Sequence, residues 1–174
     1  MNHNKLVVIV NGQGGVGKDT LCDYFCKFYN GFSVSSITPI KKRAELIGWT
    51  GGKSDKDRKL LSDLKKLLDW YDDVSFNYLK SEFEKFEESS YNVLFVMIRE
   101  PDDIDRFKEY VTEEGERVCT LLIRRASVNR TFGNEADDCV NDYFYDYIFD
   151  NDNPIEISHN DFITMVKSMT DEVF

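Results

Sequence analysis

A short apolar run that leads directly into a glycine-rich turn constrains this chain more than any other feature. The run Leu6-Val7-Val8-Ile9-Val10 predicts a buried strand, and the segment Gly12-Gln13-Gly14-Gly15-Val16-Gly17-Lys18-Asp19-Thr20 begins one residue after it. Glycines between a strand and a helix start let backbone N–H groups converge on a phosphate, where the helix dipole favours negative charge. The sequence therefore predicts a phosphate-binding loop with these binding residues: Gly12, Gly14, Gly15, Val16, Gly17 and Lys18.

The residues after the last glycine of the loop indicate how a metal ion would be held. The Lys18 ammonium is placed to follow the β and γ phosphates of a nucleotide. Asp19 stands where such loops usually carry a hydroxyl, and the hydroxyl comes one residue later at Thr20. Two interpretations of Asp19 stay open: it holds Mg²⁺, together with Thr20, or it only favours the helix N-terminus electrostatically.

The stretch Gly-Lys-Asp-Thr resembles the corresponding stretch of bacteriophage deoxynucleoside monophosphate kinases, which are close to the dephospho-coenzyme A kinase group. The resemblance implies an α/β, three-layer P-loop NTPase fold with a parallel sheet in the strand order 2-3-1-4-5. It also implies that ATP and Mg²⁺ are the cofactors. In sequence order the resemblance extends over the whole chain, but the loop is its sharpest motif.

Apolar patterning along the rest of the chain predicts strands that alternate with helices, which is typical of a parallel α/β sheet. The predicted strands cover residues 6–10, 32–37, 93–98, 117–123 and 143–149. At 174 residues with 41% hydrophobic content, the chain is expected to form a single domain, residues 1–174. Residues 38–90 are far more than one crossover helix requires, so we interpret them as a helical insertion.

Arginines follow two of the predicted strands, where the carboxyl ends of a parallel sheet bind ligands. Arg99 comes after the third strand and is predicted to grip the phosphate of an acceptor; the alternative is a local salt bridge with Glu100 or Asp102. Residues 124–141 resemble the short lid of monophosphate kinases; the alternative is a solvated loop. The predicted catalytic residues are Lys18, Arg99, Arg124, Arg125 and Arg130.

The family resemblance also assigns roles outside the loop and the lid. It places acceptor binding in the insertion at residues 38–90, where the candidate contacts are Lys41, Lys42, Arg43 and Arg58. Trp49 and Trp70 are expected in the core more than on a nucleobase. Asn151 lies in a turn that resembles the family's turn near the donor adenine.

The net charge of −10 disfavours binding to long nucleic acids, which usually requires a basic face. The sequence has no apolar run long enough to span a membrane and no secretory signal, so we expect a soluble, cytoplasmic protein. The expected partners are small nucleotide substrates, and the sequence leaves a homodimer open.

These observations predict an ATP- and Mg²⁺-dependent kinase for a small phosphorylated acceptor, with a (deoxy)nucleoside monophosphate favoured. No general base is evident, and a phosphate acceptor needs none because it is already anionic near neutral pH. Alternatives are a kinase for dephospho-coenzyme A or phosphomevalonate, or a nucleotide-binding regulator. The carboxylate that completes the magnesium site is open among Asp19, Glu100 and Asp102.

Overall fold

A computed structural model describes residues 5–128 and 139–171 of the chain. In these residues the strands are β1 (Leu6–Asn11), β2 (Gly31–Ser35), β3 (Val93–Met97), β4 (Arg117–Arg124) and β5 (Tyr147–Asp150). The helices are α1 (Lys18–Phe28), α2 (Thr38–Leu46), α3 (Asp55–Asp72), α4 (Val74–Glu88), α5 (Pro101–Glu113) and α6 (Ile155–Asp171). A 3-10 turn at Cys139–Asp142 precedes β5.

Within the described residues the five strands form one all-parallel sheet in the order β2-β3-β1-β4-β5. The predicted fold class and strand order are confirmed. β1 lies in the centre and is buried along its whole length, which explains its continuous apolar sequence.

Helices cover both faces of this sheet, so the fold has three layers. Because successive strand side chains point to opposite faces, Val8 and Val10 of β1 pack with α1 and α6, while Val7 and Ile9 pack with α4 and α5. Each layer of helices therefore has its own half of the hydrophobic core.

The insertion at residues 38–90 contains α2, α3 and α4, which connect β2 to β3. α3 starts at a capping box, in which the Ser54 side chain accepts from the Asp57 backbone N–H and the Asp57 carboxylate accepts from the Ser54 backbone N–H. Trp70 near the end of α3 is 81% exposed, so its expected place in the core is wrong. Its helical position turns it to solvent, whereas Lys65 occupies the buried face.

The last strand starts later than the sequence predicts, at residue 147 rather than 143. Polar groups just before β5 form hydrogen bonds with side chains of other elements instead of with the sheet. The Asp146 N–H donates to Thr120 Oγ1 at 2.9 Å, and the Tyr143 hydroxyl donates to Asp105 at 2.6 Å. Aromatic residues before β5 therefore pack beside α5 instead of joining the ladder.

All five strands of the described sheet end at the same edge. The loop after β1, Arg99 beyond β3, Arg124 at the end of β4 and Asp150 at the end of β5 meet there. No helix in the described ranges combines the length and the apolar composition that crossing a membrane requires.

Candidate functional site

The loop between β1 and α1 takes backbone conformations that require its glycines. Gly12 has φ 148° and Gly17 has φ 94°, and a Cβ at Gly12 would overlap the carbonyl oxygen of Ile123 in β4. A Cβ at Gly17 would lie 2.6 Å from Nδ2 of Asn151. These glycines therefore let the loop fit closely against the ends of β4 and β5.

Asn151 contacts the loop directly. It is buried, and its Nδ2 donates to the carbonyl oxygen of Val16 at 2.8 Å, while its backbone N–H donates to the Arg124 carbonyl at 2.8 Å. The structure thus places Asn151 as a support of the loop that also holds the end of β4.

Lys18 is the first residue of α1 and is buried against the loop. Its Nζ donates to the carbonyl oxygens of Gly12 and Gln13, the second at 2.9 Å. The ammonium is thereby held at the mouth of the loop, beside the amino terminus of α1. An anion at this position would meet the Lys18 charge and the positive end of the helix dipole together.

Asn11, the last residue of β1, connects the loop to two other elements. Its side chain is fully buried; Oδ1 accepts from the Gly12 N–H at 2.7 Å, and Nδ2 donates to the Arg99 carbonyl at 2.9 Å and to the Tyr145 hydroxyl at 2.8 Å. The Tyr145 hydroxyl in turn donates to the Val140 carbonyl at 2.8 Å. Burial raises the pKa of Tyr145 from 10 to about 12.

A cleft of about 540 Å³ opens at the loop and extends to the insertion. It is lined by Gly14, Gly15 and Gly17 of the loop, by Trp49 of the insertion, and by the last residues of β3. Of its described lining side chains, two are acidic, Asp19 and Glu100, and seven are cationic: Lys18, Lys41, Lys53, Arg58, Lys65, Arg99 and Arg125. In a chain of net charge −10, this cleft is a local concentration of positive charge.

Lys65 links the insertion to the segment that follows β3. From α3 its Nζ lies 2.8 Å from Asp103, 3.0 Å from Asp69 and 3.5 Å from Glu100. Burial alone would lower the pKa of Lys65, but the neighbouring carboxylates, Glu100 and Asp103 first, outweigh it and raise the pKa above its usual range. The single charge of Lys65 is shared among three carboxylates and Glu100 makes the longest of the three contacts, so Glu100 stays a candidate magnesium ligand.

A second cavity of about 440 Å³ lies on the other side of the loop, between Gln13, Val16 and the ends of β4 and β5. Arg124 lines it and holds Asp150 through two hydrogen bonds of 2.7 and 2.8 Å, as the β4–β5 register pairs these residues. Arg125 lines both this cavity and the cleft.

The predicted site residues thus divide between two cavities. Lys18, Arg99 and Arg125 share the cleft with the candidate metal ligands Asp19 and Thr20, whereas Arg124 faces the second cavity. Lys41 and Arg58 of the insertion also reach the cleft, but Lys42 and Arg43 are not among its lining residues. Arg130 and most of the predicted lid lie outside the described residues. Their roles stay predictions.

A magnesium site built from the described residues would include the ligand's own oxygens. Within residues 5–128 and 139–171, no group of three or more His, Cys, Asp and Glu side chains is arranged to hold a metal ion. Mg²⁺ in phosphate sites is usually held by one or two protein oxygens together with phosphates and waters. Asp19 and Thr20, exposed side by side at the cleft, are a donor set of this kind.

Sequence reasoning missed Asn11, Tyr145 and Lys65. A polar residue at the end of an otherwise apolar strand, directly before Gly12, was a usable signal for Asn11. Lys65 carried a weaker one, since it lies between Leu61 and Leu68 on the same side of the helix, at a position where an apolar side chain is expected. Tyr145 had no local signal for its role at the loop, because Asn11, the residue that it links to the site, lies 134 positions away.

Several solved structures share this fold at low sequence identity. A candidate kinase from Chloroflexus aurantiacus is 12% identical with a TM-score of 0.59, and the alignment covers 100% of both chains. APE1195 is 12% identical with a TM-score of 0.53 over 99% of this chain and 98% of that one. A gluconokinase from Sinorhizobium meliloti 1021 is 10% identical with a TM-score of 0.51 over 98% of this chain and 95% of that one. No protein-family model matches the chain, and no curated protein matches its sequence.

Proposed function

We propose that the chain catalyses transfer of the γ-phosphoryl group of ATP to a small phosphorylated acceptor, with a (deoxy)nucleoside monophosphate as the favoured class. The carrying observation is that one cleft is lined both by the phosphate-binding loop and by cations from the insertion and from the ends of β3 and β4. A phosphoryl donor at the loop and an anionic acceptor at the insertion would then face each other.

The loop and Lys18 bind the β and γ phosphates of the donor in this proposal. The second cavity, which adjoins the loop at Gln13 and Val16, takes the donor's adenosine. Bound Mg²⁺, held by Asp19 and Thr20 with the phosphate oxygens, would neutralise charge on the transferring group. Likeness in fold to a gluconokinase is compatible with transfer to a small molecule.

Arg99 binds the acceptor's phosphate. Its backbone is fixed by Asn11, and its side chain lines the cleft, so its guanidinium can hold a phosphate through two parallel hydrogen bonds. An acceptor phosphate oxygen then forms the new P–O bond as the bond from the γ-phosphorus to the β–γ bridging oxygen breaks, and ADP leaves. Arg125 stabilises the charge spread over the transferring group.

The test is an acceptor panel with ADP release as the readout. Purified chain with ATP and Mg²⁺ is offered each nucleoside and deoxynucleoside monophosphate, dephospho-coenzyme A, phosphomevalonate, gluconate, or no acceptor. Turnover that depends on a nucleoside monophosphate supports the proposal. Turnover only with another acceptor would contradict the favoured class, and acceptor-independent slow hydrolysis would favour the nucleotide-binding regulator.

Two variants test the roles proposed for Lys18 and Arg99. Lys18→Ala is expected to abolish turnover while circular dichroism stays native, and Arg99→Ala is expected to raise the acceptor KM more than the ATP KM. Arg117→Ala is the control, because Arg117 lies at the opposite end of β4 and bonds the Met169 carbonyl. Unchanged acceptor kinetics in the Arg99 variant would refute its assignment.

A further inference from the structure

α3 has an apolar face that the rest of the described chain leaves exposed. Leu60, Leu64, Leu67 and Tyr71 recur at spacings of four, three and four residues, so at about 100° per residue they fall within one narrow stripe. Leu67 is 57% exposed, Tyr71 79% and Leu60 36%, Leu64 is half-buried, and Trp70 borders the stripe. The outward face of a helix on a globular domain is normally polar, so this stripe is anomalous.

The exposed area is large for a monomer. Trp70 and Tyr71, each about four-fifths exposed, present together roughly 350 Å² of mostly apolar surface. That already equals the largest apolar patch of many monomeric proteins, about 300–600 Å². Leu67, which is 57% exposed, and Leu60, which is 36% exposed, add to it. The stripe with Trp70 thus supplies more than half of the roughly 800 Å² per partner that a stable interface buries.

We propose that two copies of this chain associate through this face of α3, antiparallel, about a two-fold axis that passes between Leu64 and Leu67. The spacings of four, three and four residues are the same from either end of the stripe. An antiparallel copy therefore brings Leu60 opposite Tyr71 of the second copy and Leu64 opposite Leu67 of the second copy. A self-complementary patch is what a two-fold interface requires.

The helix dipole of α3 favours the antiparallel arrangement over the parallel one. An antiparallel arrangement brings the positive amino-terminal end of each helix dipole beside the negative carboxyl-terminal end of the other. A parallel pair would place like ends together.

The interface leaves the cleft of each copy open. Arg58 and Lys65 lie on the other side of α3 and line the cleft, so the outer stripe is separate from the side that faces the candidate site. The dimer is therefore independent of the proposed function, and either can fail without the other.

Sedimentation velocity over a concentration series tests the association. The wild-type chain is expected to sediment with twice the 20.3 kDa mass of one copy, and Leu67→Glu with Trp70→Glu is expected to return it to that mass. The control is Phe144→Glu, since Phe144 is 98% exposed but lies far from α3 in sequence, before β5. A wild-type chain that is monomeric up to about 100 µM would overturn the proposal, as would a dimer that survives the double substitution or dissociates in the control.

Disulfide trapping tests the orientation. Positions 60 and 71 of one helix are about 16 Å apart, too far for a bond within one copy. Leu60→Cys with Tyr71→Cys is expected to give a covalent dimer on oxidation, whereas Leu60→Cys alone gives no more than the wild type with its native cysteines. Trapping by the single variant would show a parallel pair and overturn the antiparallel arrangement.

Discussion

Gly12 is the position at which the loop tolerates a side chain least, and Gly12→Ala tests how the loop is built. A Cβ there would lie much closer than 3.0 Å to the backbone oxygen of Ile123, and real Cβ atoms essentially never come that close to another atom. Because the neighbour is backbone in β4 rather than a flexible side chain, relief requires the pairing of β1 with β4 to shift.

Gly15→Ala is the matched control, because Gly15 also has positive φ, 92°, but its Cβ would meet nothing within 4 Å. Placing alanine at positive φ costs about 1–2 kcal/mol, which the stiffer unfolded chain offsets by about 0.4–1 kcal/mol. We therefore expect Gly15→Ala to lower the free energy of unfolding by about 1 kcal/mol.

Gly12→Ala carries a similar backbone cost and in addition the overlap with β4. Forcing extra volume into a packed region costs about 1–3 kcal/mol, so the total is about 2–4 kcal/mol. For a chain of 174 residues this lowers Tm by about 10 °C, against about 3 °C for Gly15→Ala. Urea unfolding and calorimetry without ligand measure both. Equal destabilisation by the two substitutions would refute the argument that contact with Ile123 makes Gly12 obligatory.

Three further substitutions test the supports of the site. Lys65→Met is expected to lower the free energy of unfolding in urea by about 1–3 kcal/mol at pH 7, because it leaves partly buried carboxylates unpaired. Since the pKa of Lys65 is raised above its usual value of 10.5, the side chain stays protonated through that pH. Asn151→Ala is expected to cost about 1–3 kcal/mol in urea, since the Val16 carbonyl loses its partner. Asp146→Asn is expected to destabilise at pH 7 and progressively less below about pH 4, as measured by thermal unfolding across pH.

The direction of the pH dependence predicted for Asp146→Asn follows from the groups around the Asp146 carboxylate. Burial opposes its charge, but the Thr120 backbone N–H and hydroxyl, at 2.8 and 2.9 Å, outweigh burial and lower the pKa of the carboxyl below 3.8. A lowered pKa stabilises the fold above the carboxyl's ordinary value, and the stabilisation is lost as pH falls through the lowered one. A deficit in Asp146→Asn that does not shrink in acid would contradict this cause; Asp161→Asn, on the surface of α6, is the control.

Controls for the other two substitutions come from neighbouring positions. Lys59→Met removes an exposed pair with Asp63 on the same helix, and such pairs contribute about 0–1 kcal/mol. Asn153→Ala removes an exposed 3.3 Å hydrogen bond two residues from Asn151. A loss in either control equal to that in its partner would mean that burial of the group does not set its contribution.

The loop and the sheet were predictable because their signals are local. Glycine spacing after an apolar run specifies the turn, and alternation of strands with helices leaves few topologies for a parallel sheet. The capping box of α3 is local in the same way, since Ser54 and Asp57 lie within one helical turn.

The contacts that support the site were not predictable, because they join residues far apart in sequence. Asn11 bonds Tyr145 across 134 positions, and Lys65 bonds Asp103 across 38. The arginines after β4 show the same limit: consecutive residues in a strand-to-loop stretch point to different sides, so Arg124 pairs with Asp150 while Arg125 reaches the cleft. Register between β4 and β5 decides this, and the sequence alone does not contain it.

The position of charge, rather than its sum, decides which anions this chain can admit. Screening at physiological salt limits the range of each exposed charge's electrostatic interaction to about 8 Å. A ligand within the cleft therefore interacts mainly with the cationic lining of the cleft and little with the acidic outer surface. A long polyanion must instead lie across that outer surface, where the net charge of −10 repels it. Lys65, whose single charge is shared among Glu100, Asp69 and Asp103, offsets part of the negative charge next to Arg99 in sequence. Because seven of the described charged side chains along the cleft are cationic and two are acidic, the cleft favours a compact, multiply charged phosphate over an extended one.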